Sequence, residues 1–211
     1  MILPILRRLR RRFLDMPRGF GHPVPAAAFD EEYRSGHWQL LDSPDEETRY
    51  ATLASLVRAQ HPRPRLLDAG CGSGRLAIRF KPGELAAYLG VDLSAEAIRI
   101  ARDSVPPDAV LQQVDLETWT PTDRYEVIVM NEVIGYFHDP ARTLRRLAPA
   151  LAPGGVFVVS LYRWGNAPAI WRRLGDSFAT GQAVTITNAG GDKVWDIRIL
   201  LPVTARPAPS P

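Results

Sequence analysis

Lysine is almost missing from this chain. Of 26 basic residues in 211, only Lys81 and Lys193 are lysine, and the formal net charge is +3. So mild a charge, with an arginine bias that genomic base composition explains as readily as function, is not read as nucleic-acid binding. Cysteine is scarcer still. The single Cys71 excludes an internal disulfide and fits a reducing, cytoplasmic compartment. The four histidines (His22, His37, His61 and His138) are scattered without ligand spacing, so no metal site is expected. No apolar run approaches the roughly eighteen residues of a membrane helix.

The first fourteen residues, MILPILRRLRRRFL, carry their charges after the apolar residues, the reverse of a secretory signal. Ile2, Leu6, Leu9 and Phe13 share one helical stripe, with Arg7, Arg8, Arg10, Arg11 and Arg12 elsewhere. A solvated arm is the plainer reading. A basic amphipathic helix making weak contact with an anionic membrane surface is the alternative.

What is present builds a full core: 45% of residues are apolar and 9% aromatic. One domain is expected over 29–202, preceded by a basic arm and Pro/Gly linker over 1–28 and followed by a disordered tail over 203–211. Residues 29–62 form an N-terminal cover and first helix. The cover, FDEEYRSGHWQLLDS, is too apolar for a linker and too broken for a long helix. Ser43, Pro44 and Glu46 predict a capping box. Tyr50, Leu53, Ala54 and Val57 then form a core stripe, with Arg49 beside it and assigned to the surface.

Everything else is organised around Arg65–Arg75, RLLDAGCGSGR. Leu66 and Leu67 suit a buried strand, Gly70, Gly72 and Gly74 a turn, and residues 74–80 a helix. Such a unit aims free backbone N–H groups and a helix's positive end at a ligand. A dinucleotide fingerprint needs a glycine where Arg75 stands. Further strands are expected at 86–92, 109–115, 125–131 and 155–161, with helices at 95–104 and 140–151 between them. Asp92 ends the second strand eighteen residues past Gly74, Asp115 ends the third, and Asn131-Glu132 ends the fourth. Trp119 follows the third strand and is read as packed under its loop. A short helix at 167–174 and an antiparallel hairpin over 183–188 and 193–200 complete the pattern.

Taken together, D-x-G-x-G-x-G, GVDLS, QQVDLE, YEVIVMNEVIGYF and LAPGGVFVVSLY resemble the class I S-adenosylmethionine-dependent methyltransferases over residues 45–200. The resemblance implies an α/β fold: a Rossmann-like seven-stranded sheet, mostly parallel with a C-terminal antiparallel hairpin, and helices on both faces. It implies S-adenosyl-L-methionine as cofactor. Gly70, Gly72 and Gly74 would lie along its methionine part, with Asp68 ordering the turn and Cys71 a small buried spacer. Asp92 with Leu93 would hold the ribose, Asp115 and the Leu116 amide the adenine, and the Asn131 carbonyl would face the sulfonium. In related enzymes an arginine near Arg49 meets the cofactor's carboxylate.

Direct displacement at a methyl carbon asks the protein mainly for positioning and desolvation. Many small-molecule relatives read E-x-x-E-H after the fourth strand, where this chain has Tyr136, so His138 and Tyr136 are the candidate bases. Asn131 is followed by Glu-Val-Ile and not by the Pro-Pro-aromatic signature of nucleic-acid amino-methyltransferases. The expected reaction is therefore methyl transfer to an O or N atom of a small molecule of sugar or natural-product type. A cofactor-binding protein that has lost transfer, and a nucleotide-dependent oxidoreductase, are the rivals. Nothing in the sequence sets the oligomeric state.

Overall fold

The computed structural model describes residues 10–203. The arm reading rests mostly on residues 1–9, which lie outside the described residues, as does the tail from 204 onward. Strands β1 (Arg65–Ala69), β2 (Ala87–Asp92), β3 (Val110–Gln113), β4 (Tyr125–Asn131), β5 (Leu151–Tyr162), β6 (Phe178–Thr187) and β7 (Val194–Pro202) form one sheet. Its order is β3-β2-β1-β4-β5-β7-β6, with β7 antiparallel to both its neighbours. The first five strands in this order pair in parallel. Helices are α1 (Ala26–Arg34), α2 (Pro44–Gln60), α3 (Ala95–Arg102), α4 (Pro140–Leu147) and α5 (Ala167–Gly175). No helix among the described residues is long and apolar enough to cross a membrane.

β4 is buried on both faces, which is why it reads as a continuous apolar run. Val127 and Val129 pack with Tyr50, Leu53 and Val57 of α2. Ile128 and Met130, one residue out of phase, pack with Leu144 and Leu147 of α4 and Ile170 of α5. These two layers fix the sheet between helices and leave the carboxyl ends of β1, β2 and β4 open at one edge.

Several expectations need correction. No α-helix follows the glycine turn. Residues 74–80 hold only a 3₁₀ turn at Ala77–Arg79. Lys81-Pro82-Gly83 stops the segment within two turns, too short to offset the cost of a helix nucleus. Its apolar residues Leu76, Ala77 and Phe80 are buried all the same. The third strand ends at Gln113, level with Asp92, so Asp115 lies two residues beyond it. There its Oδ1 accepts the Glu117 N–H at 2.8 Å, closing a side-chain turn. The capping box does not form. Ser43 makes no side-chain cap and its buried Oγ has no partner, because Glu46 is held by Arg49 instead. The helix expected to Leu151 ends at Leu147, with Pro149 in a 3₁₀ turn and Leu151 already paired to Tyr125.

The stretch read as linker is docked on the body. Asn166 donates to the Phe20 carbonyl at 2.6 Å, and the His22 amide donates to that of Gly135 at 2.6 Å. Gly21 lies against the Phe137 and Gly135 carbonyls, leaving no space for a Cβ. Its lack of a side chain serves close approach, not a loose chain. Helix α1 begins straight after Pro25 and so crosses the boundary expected at 28.

Candidate functional site

A cavity of about 450 Å³ opens where the strand order reverses, beneath α1 and the segment before it. Asp68, Gly70, Cys71, Gly72, Asp92, Leu93, Asp115, Leu116, Asn131, Tyr136 and His138 all line it. Gly74 does not. It sits at φ +80° with its α-carbon against Val105 and Ala101, and thus serves the turn's packing on α3. Trp119 packs against the core and is absent from the lining, as its loop placement implied.

The turn's donors point inward. Gly70 and Cys71 donate their N–H groups to the Val91 carbonyl at 2.8 and 2.9 Å, Gly74 to that of Cys71 at 3.0 Å, and Gly72 to Asp92 Oδ2 at 2.9 Å. The expected helix dipole is therefore missing, and of the expected free N–H groups in the turn only that of Ser73, which lines the cavity, has no protein acceptor. Asp92 Oδ1 accepts the Ser94 N–H at 2.9 Å. Its carboxylate is fixed in place by two backbone bonds and retains lone pairs for a ligand. Burial, opposed by those bonds, raises its pKa.

Asp68 is buried behind the turn and accepts the Tyr88 hydroxyl at 2.7 Å. Burial pushes its pKa up to about 7, with the Tyr88 bond pulling the other way. Burial also raises the Cys71 thiol well above its ordinary value, so it stays protonated and un-nucleophilic.

At the end of β4, Glu132 sits at φ +60°, the only positive φ at a non-glycine among the described residues. Its carboxylate accepts the Ser160 hydroxyl at 2.5 Å and the Tyr162 N–H at 2.8 Å, bonds that hold the unusual backbone. Arg49, assigned to the surface from sequence, is 1% exposed. It donates to Glu46 at 2.5 Å and to Asn131 Oδ1, beneath the rings of Tyr50 and Trp195. An acid three residues before an arginine beside a core stripe was the only available hint.

Helix α1 supplies Asp30, which sequence reasoning missed. Asp30 Oδ1 accepts the Ser94 hydroxyl at 2.6 Å and the Glu96 N–H at 3.1 Å, capping α3 from another helix. Those bonds, the Ser94 one foremost, hold its pKa below the usual carboxylate value. One turn on, the Tyr33 hydroxyl lies over Gly72, 2.8 Å from where a Cβ would stand. Tyr33 stacks on Trp38 with centroids 5.8 Å apart, and Phe29 meets Tyr136 edge-on at 5.2 Å. The aromatics that looked odd in the sequence are the cavity's roof.

Of the two candidate bases, Tyr136 is set among these rings and burial raises its pKa. The His138 side chain is 77% exposed at the rim, with Nδ1 2.5 Å from Glu117 Oε2.

A family model described as a methyltransferase domain matches residues 36–183. Trans-aconitate 2-methyltransferase of Azoarcus sp. (strain BH72) is 33% identical over 132 residues, covering 62% of this chain and 52% of that protein. The protein of that name from Methylobacterium radiotolerans is 38% identical over 122 residues, 56% of this chain and 45% of that protein. The chain thus spans about half the length of the curated relatives it matches. N-methyltransferase NodS from Bradyrhizobium japonicum WM9, solved with S-adenosyl-L-homocysteine, superposes with a TM-score of 0.72 at 20% identity, covering 83% of this chain and 96% of that one. The [4+2]-cyclase SpnF superposes at 0.69 and 16% identity, covering 88% and 99%. Likenesses this remote show the fold, and a fold alone leaves the reaction open.

Proposed function

The chain belongs to the methyltransferase-domain family, and from that premise we propose that it transfers a methyl group from S-adenosylmethionine to an O or N atom of a small molecule. One observation carries the choice of ligand. The glycine turn spends the N–H groups of Gly70, Cys71, Gly72 and Gly74 within the protein and is followed by no helix, so it offers a pyrophosphate only the Ser73 amide. A turn flanked by the carboxyl groups of Asp68 and Asp92 suits an ammonium-bearing amino-acid end instead. That supports the methyltransferase reading over a nucleotide-dependent oxidoreductase, as does antiparallel β7.

The cleft fits the cofactor in size and donor set. Its volume of about 450 Å³ lies within the ordinary range for such ligands. Asp92, fixed by the Gly72 and Ser94 amides, is placed for two ribose hydroxyls, and Asp115 with Leu116 closes the far end for the base. When bound, S-adenosylmethionine supplies a methyl group activated by its sulfonium. This chain's residues hold and orient: Asn131 and Glu132 set the floor at the end of β4, and the rings of α1 exclude water. His138 stands as a candidate proton acceptor at the open side, and Tyr136 as one among the rings of the roof.

Calorimetry with S-adenosylhomocysteine and with NAD tests the reading. The homocysteine form should bind and NAD should not. The reverse result would overturn it.

A further inference from the structure

The roof and walls of the cavity carry a chemistry that the names of the curated relatives do not suggest. Six aromatic side chains line it, four of them (Phe29, Tyr33, Trp38 and Tyr136) in the linked cluster on and under α1. Cations are few. Among the described residues the lining includes one guanidinium, Arg49, and one imidazole, His138. Both are taken: Arg49 by Glu46 and Asn131, His138 by Glu117. A tricarboxylate such as trans-aconitate would find no free positive group here.

We propose that the methyl acceptor is an amine carried on a compact apolar body, an assignment that rests on the methyltransferase reading above. Aromatic faces attract an ammonium ion through their quadrupole. The bound ammonium first loses a proton to water through the open rim, which frees the nitrogen lone pair. A nitrogen–methyl bond then forms as the methyl–sulfur bond breaks, and the electron pair of the broken bond remains on sulfur. Positive charge thus passes from sulfur to nitrogen inside a shell of rings that suits it at both ends. A carboxylate acceptor would instead cancel its charge against the sulfonium and gain nothing from such a shell.

The test is calorimetry of the full chain saturated with S-adenosylhomocysteine, using benzylamine, benzyl alcohol and trans-aconitate as probes. Benzylamine should bind about tenfold more tightly than benzyl alcohol, the scale of a partly desolvated cation–π contact, and trans-aconitate more weakly than either. Tyr136→Leu should erase most of the preference, and Tyr136→Phe, which keeps the ring, should retain it. The wild-type ranking decides even if a variant fails to fold. Equal binding of amine and alcohol, or tightest binding of trans-aconitate, overturns the amine assignment and leaves the methyltransferase reading standing. Absence of S-adenosylhomocysteine binding strikes the methyltransferase reading itself, and the assignment with it.

Discussion

Asp30 and Asp92 are joined through a single serine. The Ser94 hydroxyl donates to Asp30 at 2.6 Å while the Ser94 amide donates to Asp92 at 2.9 Å. The cover helix is therefore fastened to the residue that positions the proposed ribose carboxylate, and Tyr33 on the same helix shields Gly72, which holds that carboxylate's other oxygen. Asp30→Ala should unfasten the cover at a cost of about 1 kcal/mol, and release of S-adenosylhomocysteine should quicken about fivefold. Stopped-flow fluorescence would read the rate. An unchanged rate in a folded variant would show that α1 does not gate the cleft.

Asp92→Ala removes a charged acceptor from the ligand and from two backbone amides. Affinity for S-adenosylhomocysteine should fall by about 1.5–3 kcal/mol. Circular dichroism would confirm the fold, and full affinity in a folded variant would place the ribose elsewhere.

Asp68 makes stability depend on pH in a definite direction. Its pKa is raised to about 7 in the folded chain from 3.8, so the folded state holds a proton that the unfolded state has released. The stabilisation is complete below 3.8 and is lost as pH rises toward 7. Asp68→Asn keeps an acceptor for Tyr88 and carries no charge. Thermal scans should show little difference from wild type near pH 4 and a higher melting temperature for the variant at pH 8. A gap that shrinks with rising pH would contradict the buried-acid account.

His138 and Tyr136 separate base catalysis from positioning. With an amine acceptor that sheds its proton to water before attack, no enzymatic base is needed, and His138→Ala should stay within a few-fold of wild-type turnover. Tyr136→Phe should do likewise. A loss of about 10²–10⁴ in either would assign general-base catalysis to that residue and favour a hydroxyl acceptor.

Arg49→Met should be severe, since it leaves Glu46, which is 4% exposed, with only the longer 3.5 Å contact to Lys193 and removes the partner of Asn131. Breaking a buried pair from one side costs about 3–5 kcal/mol. Urea unfolding would measure it, and adding Glu46→Gln should return much of the loss.

The parts of this protein legible in its sequence are those where local pattern and final contact coincide. β1, β2 and β4 announced themselves because Leu66-Leu67, Val91 and the run from Val127 to Met130 are buried wherever a parallel sheet places them. Asp68, Asp92 and Asn131 were found because strand ends at a switch point face the cleft. Arg49 and Asp30 were missed because their partners, Asn131 and Ser94, are distant in sequence, and burial of a charged group is decided by such partners. The helix expected after Gly74 failed for a different reason. Its residues favour helix, but the segment is too short, and length overruled propensity.

Strand order also says something about synthesis. β6 is made before β7 yet lies outside it, and pairs with nothing else in the sheet. Until residues 194–202 leave the ribosome, β5 has one naked edge and β6 has no place to go. Of the described strands, the one made last is thus the one that seals this sheet, and a chain cut short before it would display its stickiest edge to its neighbours.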